Sequence, residues 1–400
     1  MSDRESTAVV IGGGIGGLAA AAFLHRAGLS VTVYEQASEL KEVGAGLVVA
    51  PNAARLLREL DVMDGFLEQA VKLEVGWEFR RWDDGEVLSA ENLRDACETR
   101  YGEATYTAHR ADLLEALRSA VPSGSVRLST RCTDVIINED ESLVRFADGT
   151  STTADLVVGA DGVHSVVRGS VTVPSEPTYS GACAFRALVP ADLAPPFARR
   201  PAQTLWIGPD HHLVHYPISR GELVNLVAFA PAGEFTVESW SSMASRAELL
   251  AEFEGWDQRL VDLISVAGTP GRWALLDRRP LSRWSYRNVT LLGDAAHPMF
   301  PFYAQGAAQS IEDAAVLARC VDSTSHDIPA ALELYERLRI PRTTRLQEIS
   351  HARALINHLP DGARQRSRDA QLRAADPLVT NGWIYEYDVN DLGEQLPVSR

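Results

Sequence analysis

Thr7-Ala8-Val9-Val10-Ile11-Gly12-Gly13-Gly14-Ile15-Gly16-Gly17 starts as a short, fully buried strand and runs into a turn dense with glycine. Ile15, Leu18, Ala22 and the small residues between them then predict an apolar helix that stops at Gly28. Ser30 to Tyr34 reads as a second β-branched strand. Strand, glycine turn, helix and strand in that order make a parallel β-α-β unit. Within it, Gly12-x-Gly14-x-x-Gly17 occupies the place of a dinucleotide fingerprint. The first glycine permits the tight turn, the second admits a pyrophosphate to the backbone, and the third lets helix and strand pack closely. The helix N-terminus offers N–H groups and a positive dipole end to the phosphates. Glu35 closes the second strand, placed to bind both hydroxyls of an adenosine ribose. A glycine-rich turn without a ligand is the competing reading, and this motif alone does not separate NAD from FAD.

Outward from that unit, the chain has 400 residues, 46% hydrophobic and 23% charged, which suits two or three folded domains. A net charge of −16 argues against a nucleic-acid backbone or an anionic membrane as partner and favours small-molecule chemistry. The longest apolar stretch, Ala8 to Leu24, has glycine at five of its 17 positions and falls short of a bilayer span. It does not read as a signal peptide either. Cys97, Cys132, Cys183 and Cys320 are far apart with no Cys-x-x-Cys pair, which fits a reducing cytoplasm. No His-Glu-x-x-His or similar spacing occurs among the ten histidines, so no metal centre is expected.

From about residue 76 the texture changes. Trp77 to Trp82 alternates like a strand, and Asp84-Gly85 predicts a hairpin turn. A helix is expected after Arg110, with Leu113, Leu114 and Leu117 on one face. Leu143 to Phe146 and Asp155 to Val158 read as strands, as do Ala182 to Val189, Leu213 to Ile218 and Leu223 to Phe229. Val289 to Leu292 returns to the short buried type, Gly306 to Cys320 reads as a helix, and the pattern after Pro329 is helical and charged. Buried strands of the first type therefore lie on both sides of a second, mostly antiparallel sheet, which predicts two intertwined domains.

Three further segments bear on the cofactor. Arg110-Ala111-Asp112-Leu113 places an arginine in the first turn of a helix, where an arginine is commonly just solvated. Gly159-Ala160-Asp161-Gly162 follows a buried strand and continues to Arg168; Asp-Gly is also an ordinary turn. Gly293-Asp294-Ala295-Ala296-His297, then Pro301 and Gln305-Gly306, puts an aspartate at a strand end before a loop and a helix. A sugar-alcohol chain and a flavin ring need such an arrangement.

On these four motifs, in this order, the chain resembles the single-component FAD-dependent aromatic hydroxylases of the para-hydroxybenzoate hydroxylase type, over roughly residues 7 to 320. Within that family it is most similar to salicylate and 3-hydroxybenzoate hydroxylases. The resemblance implies an α/β fold: a Rossmann-type FAD-binding domain intertwined with a mostly antiparallel β-sheet substrate domain, plus C-terminal helices. Residues 1–75, 100–175 and 276–325 would form the FAD domain, 76–99 and 176–275 the substrate domain, and 326–400 the helical region. The FAD adenosine would lie over Gly12, Gly14 and Gly17 with Glu35 on its ribose. Gly44-Ala45-Gly46 would line the flavin side, Arg110 would contact the pyrophosphate region, and Val135 the adenine through its backbone. Asp161 with Gly162 would serve FAD and NAD(P)H, Asp294 the ribitol and phosphate, and Gly306 with Ala307 the isoalloxazine. A helix beginning near Ala307 would aim N–H groups where reduced flavin accumulates negative charge. No second Gly-x-Gly-x-x-Gly occurs, which fits a nicotinamide that visits without its own Rossmann domain.

The implied reaction reduces FAD with NADH or NADPH, forms a flavin hydroperoxide from O2, and hydroxylates a small electron-rich ring, a hydroxy- or aminobenzoate-like acid. The resemblance to 3-hydroxybenzoate hydroxylases suggests His215 as base or relay and Gln305 before the Gly306 turn as its companion. Alternation puts His215 on the face of Leu213 and Tyr216 on the opposite, structural face. A histidine in an apolar strand is otherwise a satisfied core residue. Arg186 could hold a carboxylate or an internal ion pair. The alternatives are a flavoprotein oxidoreductase without oxygen insertion and a non-catalytic protein that sequesters aromatic ligands. Halogenation lacks its Trp-x-Trp-x-Ile-Pro motif.

Overall fold

A computed structural model describes residues 6–40, 46–173, 176–232 and 241–396. The quoted stretch forms the strand Thr7–Ile11, the helix Ile15–Arg26 and the strand Ser30–Tyr34. These strands are central to a six-stranded sheet in the order 285–286, 289–291, 156–159, 7–11, 30–34, 126–127. All neighbours are parallel except the hairpin Ser285–Tyr286 with Val289–Leu291. Helices cover both faces, so Val9, Val10, Val157, Val158 and Leu291 are all buried, as near-continuous β-branched strands require. A Cβ at Gly16 would sit 2.7 Å from Leu292 and 3.1 Å from Ser310, so this glycine permits the close packing of helix 15–26 against the helix Gly306–Ser323.

The second sheet has eight strands, in the order 241–243, 271–277, 178–190, 223–231, 212–218, 202–207, 75–81, 87–92. It is antiparallel apart from Ala202–Ile207 beside Val75–Arg81. The expected junctions at 75/76 and 275/276 fall inside its strands Val75–Arg81 and Gly271–Asp277, because strand pairing overrides the local change in texture. One face carries Phe185, Trp206, Leu213, Leu226 and Ala228 against helices Arg246–Glu252 and Gln258–Ser265. A small sheet that sequence patterning did not disclose pairs Gly46–Val49 and Val71–Lys72 with Tyr106–His109. The helix Ile328–Asn357 packs on the six-stranded core, where Tyr335 Oη donates to Leu291 O (3.1 Å).

The C-terminal segment closes on the edge of the second sheet. Glu91, 1% exposed, accepts from Tyr385 Oη (3.2 Å), which in turn accepts from Trp77 Nε1 (3.0 Å). Burial, with Asp376 adding to it against Tyr385 and Asn381, pushes the Glu91 carboxyl from 4.5 up to about 8. The folded state therefore keeps a proton that the unfolded chain has already lost, and stability falls as pH rises from about 4.5 to about 8, by on the order of a few kcal/mol. Glu91→Gln is expected to flatten this slope and to melt above the wild type at about pH 8. Thermal melts of both proteins between about pH 5 and pH 8.5 check this, and parallel slopes would assign the dependence elsewhere.

Candidate active site

Parallel pairing brings four strand ends to one edge. Ile11, Tyr34, Gly159 and Leu291 lie in register, so Gly12, Glu35, Asp161 and Asp294 emerge side by side at the carboxyl end of the sheet. Open parallel sheets bind their ligands at this edge. There a cavity of about 620 Å³ runs from the glycine turn to the face of the eight-stranded sheet that is not covered by helices 246–265.

Gly12 has φ +106°, and a Cβ on it would lie 2.4 Å from Ala160 O. A Cβ on Gly17 would lie 1.9 Å from Gly12 O, whereas one on Gly14 meets nothing within 4 Å. The turn is thus closed on its protein side and open on its cavity side, as a bound pyrophosphate requires. Glu35 lines the cavity and also holds the turn: its carboxylate accepts from Gly13 N (2.7 Å) and Ala37 N (2.8 Å). Arg110 lines the cavity as the first residue of the helix Arg110–Ser119, whose Ala111 N donates to His109 Nδ1 (3.2 Å).

Asp161 lines the cavity and accepts from Ser165 Oγ, Val166 N (2.7 Å) and Val167 N (3.2 Å), while burial holds its carboxyl above the ordinary value. Buried Arg168 donates to Ala295 O (2.9 Å), tying this motif to the next one. Burial and neighbouring Arg278 bring the Arg168 guanidinium down to about 10. Asp294 is exposed to the cavity on the turn Gly293–Ala295. Gly306 and Ala307 line it with the first turn of their helix, and a Cβ at Gly306 would meet nothing within 4 Å. Gly46 lines it opposite, its N–H donating to Asn225 Oδ1 (2.8 Å). Ala45 lies outside the described residues.

Four expected residues do not line this cavity: Gly17, which sits on the closed side of the turn, and Val135, His215 and Gln305. Val135 is buried in the main core and pairs with Val144; Thr130, Arg131 and Cys132 line the wall instead, because the strand Cys132–Ile136 runs away from the cavity after its first residue. His215 is 1% exposed and packs against Phe197 (5.4 Å between rings), accepting from Trp206 Nε1 (3.2 Å). Burial holds its imidazole down to about 3, so it is neutral at physiological pH. Its face is the helix-covered one, and the parity of the strand puts Val214 and Tyr216 in the cavity instead. Gln305 turns back under its helix, where its Oε1 accepts from Asn52 Nδ2 (3.0 Å) and Gln309 Nε2 (3.3 Å).

The cavity face of the second sheet presents Arg186, Gln203, Tyr216, Val214, Val227 and Phe229. Register explains the set: Arg186 pairs with Val227 and Val227 with Val214. Arg186 lies over the Trp273 ring (5.4 Å), and burial holds the Tyr216 phenol above its ordinary value. Asn225 is fully buried beside Tyr216, with no partner for Nδ2 among the described residues. The signal available in sequence was Arg186 itself, a cation between Phe185 and Ala187 that marks the polar side of its strand.

A family model described as the FAD binding domain matches residues 5–350. A 3-amino-4-hydroxybenzoate 2-monooxygenase of Streptomyces platensis is 42% identical, covering 99% of each chain. A 3-hydroxybenzoate 6-hydroxylase of Polaromonas naphthalenivorans is 35% identical, covering 98% of this chain and 99% of its own. The crystal structure of Klebsiella pneumoniae HpxO complexed with FAD and uric acid superposes with a TM-score of 0.84 at 28% identity, covering 95% of this chain and 96% of that one. With a cavity whose glycine turn leaves room for a pyrophosphate, the chain belongs to the FAD binding domain family and is an FAD-dependent aromatic monooxygenase that uses NAD(P)H.

Proposed function

We propose that this enzyme hydroxylates a ring bearing a carboxylate, an amino- or hydroxybenzoate-like acid, bound on the cavity face of the eight-stranded sheet. The observation that carries the reading is Arg186, the cation among the described residues with which that sheet lines the cavity, set among Val214, Val227, Phe229 and Leu275. A guanidinium in apolar surroundings favours a planar anion that it can meet with two parallel hydrogen bonds. Tyr216, kept protonated near neutrality by burial, can exchange a hydrogen bond with a ring hydroxyl or amine. The flanking Val, Phe and Leu side chains orient the ring face and exclude water from it.

In this reading Gly14 would admit the FAD pyrophosphate to a turn that Gly12 and Gly17 keep closed, Glu35 would hold the adenosine ribose, and Arg110 would support the phosphates. Asp161 and Asp294 would hold the middle of the cofactor, and the N–H groups at Gly306 and Ala307 would serve its ring. Bound FAD supplies oxygen activation after reduction by the nicotinamide. The six-stranded sheet and its helices would hold the cofactor and the eight-stranded sheet the substrate, with Gly46 of the small sheet bonded to Asn225 of the latter. Among the described residues no helix is long and apolar enough to cross a membrane. The four buried, unpaired cysteines support placement in the cytoplasm, and the acidic charge supports a protein without nucleic-acid or membrane partners.

The test follows NADH and NADPH oxidation in air with a panel of amino- and hydroxybenzoates and their carboxamides. Stimulation by an acid, with a product 16 Da heavier that matches the inserted oxygen, is the expected result. Equal stimulation by the matching carboxamide would overturn the role given to the carboxylate. His215→Ala is expected to cost about 2–4 kcal/mol of stability by leaving a cavity beside Trp206. Product formed per NAD(P)H consumed should stay within about twofold of the wild type, because the variant alters packing on the face away from the cavity. Denaturant melts and coupling measurements check the two halves, and loss of coupling at unchanged stability would return His215 to the reaction.

A further inference from the structure

Beneath the cavity lies a charged network that binding and catalysis, as described, leave unused. Glu312, Asp313 and Arg339 are each fully buried, and His297 is 1% exposed. One oxygen of Asp313 accepts from both Gly293 N (3.1 Å) and His297 Nε2 (2.5 Å); the other accepts from Arg339 Nε (2.7 Å). Arg339 also donates to Glu312 (2.6 Å) and to Gln309 Oε1 (2.7 Å). Glu312 accepts from Asn52 Nδ2 (2.6 Å) and from Arg342 (2.7 Å).

Buried ion pairs are expensive, and apolar side chains of similar volume often replace them without loss of stability. What such side chains cannot supply is an acceptor for a particular backbone N–H. Gly293 has φ +60°, a left-handed turn, and directly precedes Asp294. Asp313 therefore grips the Asp294 turn at both ends, at Gly293 and at His297, from the third turn of the helix whose first turn lines the cavity. Asn52 and Gln305 fasten the start of that helix to the helix Pro51–Glu59.

We propose that Asp313 is a positioning residue for FAD, fixing through Gly293 and His297 the turn that presents Asp294 to the cofactor, with Arg339 holding Asp313 in place. The experiment is a double-mutant cycle on FAD affinity, read by flavin fluorescence in titrations of the apoprotein. Asp313→Leu is expected to weaken FAD binding at least tenfold. Asp313→Asn, which retains an acceptor for Gly293 N–H, should recover most of that loss. Added to Asp294→Ala, the Asp313→Leu substitution should cost little more, since both act through one turn. Losses that multiply fully in the double variant, or unchanged affinity in Asp313→Leu, would overturn the proposal and leave Asp313 with a purely structural role. If Asp313→Leu does not fold, His297→Leu enters the same cycle with the same readings. If Asp294→Ala binds FAD normally, the proposal falls, while the carboxylate reading of the substrate, tested separately with the acid panel, is untouched.

Discussion

Gly17→Ala is expected to yield a folded protein from which FAD is missing. The added methyl would lie 1.9 Å from the carbonyl oxygen of Gly12 and 3.0 Å from its carbon. Both are backbone atoms of the turn, so no rotamer change relieves the clash. The helix Ile15–Arg26 must lift off the strand, and the N–H groups at its start leave the cavity. Overpacking of this kind costs about 1–3 kcal/mol or more, and the same displacement should weaken FAD by at least about 100-fold. Gly14→Ala is the informative contrast. Its methyl meets no protein atom within 4 Å and should leave stability intact, yet it projects where the pyrophosphate is proposed to lie. Thermal melts together with flavin absorbance separate the two: Gly17→Ala should lose stability and cofactor together, Gly14→Ala the cofactor alone. Full FAD content in Gly14→Ala would move the pyrophosphate away from this turn.

Arg186→Met should have the second largest effect, and on the substrate instead of the cofactor. Methionine keeps most of the volume and removes the cation among Val227, Phe229 and Leu275. A charge-assisted hydrogen bond is worth about 1.5–3 kcal/mol, so the KM for an acid substrate should rise about 10- to 150-fold. FAD content should not change, because Arg186 lies in the second sheet, away from the glycine turn. Product per NAD(P)H consumed should also fall, since a loosely held ring is misplaced when oxygen is transferred. Steady-state kinetics on an acid and on its carboxamide make the test specific. The carboxamide, which cannot form the ion pair, should show nearly the same KM with both proteins. An equal loss on both compounds would make Arg186 a packing residue.

The glycine turn and the strand ends beside it were legible because their signals are local. Gly12, Gly14 and Gly17 are spaced by the geometry of one turn and one helix. Asp161 and Asp294 each follow a buried strand, and parallel pairing alone then carries them to a common edge beside Glu35. Which residues of the second sheet line the cavity was not legible to the same degree. Alternation along His212–Ile218 states correctly that His215 and Tyr216 point opposite ways, but it is silent on which way the cavity lies. Both faces of this sheet are covered, one by the helices 246–265 and the other by the cavity wall, so both carry apolar residues and hydrophobicity cannot choose between them.

Gln305 departs from expectation for a related reason. Its place before Gly306 is local, but its side-chain direction is set by Asn52, a partner 253 residues away. Val135 shows the same limit, since only pairing with Val144 reveals that its strand has left the cavity by that point. By itself, then, the sequence determined the β-α-β unit, the cofactor class and the strand ends that meet at the cavity, because each rests on contacts within a few residues of a turn. The tertiary structure alone decided that Tyr216 and Arg186, not His215 and Gln305, line the cavity, because that choice depends on which elements distant in sequence cover each face of the sheet.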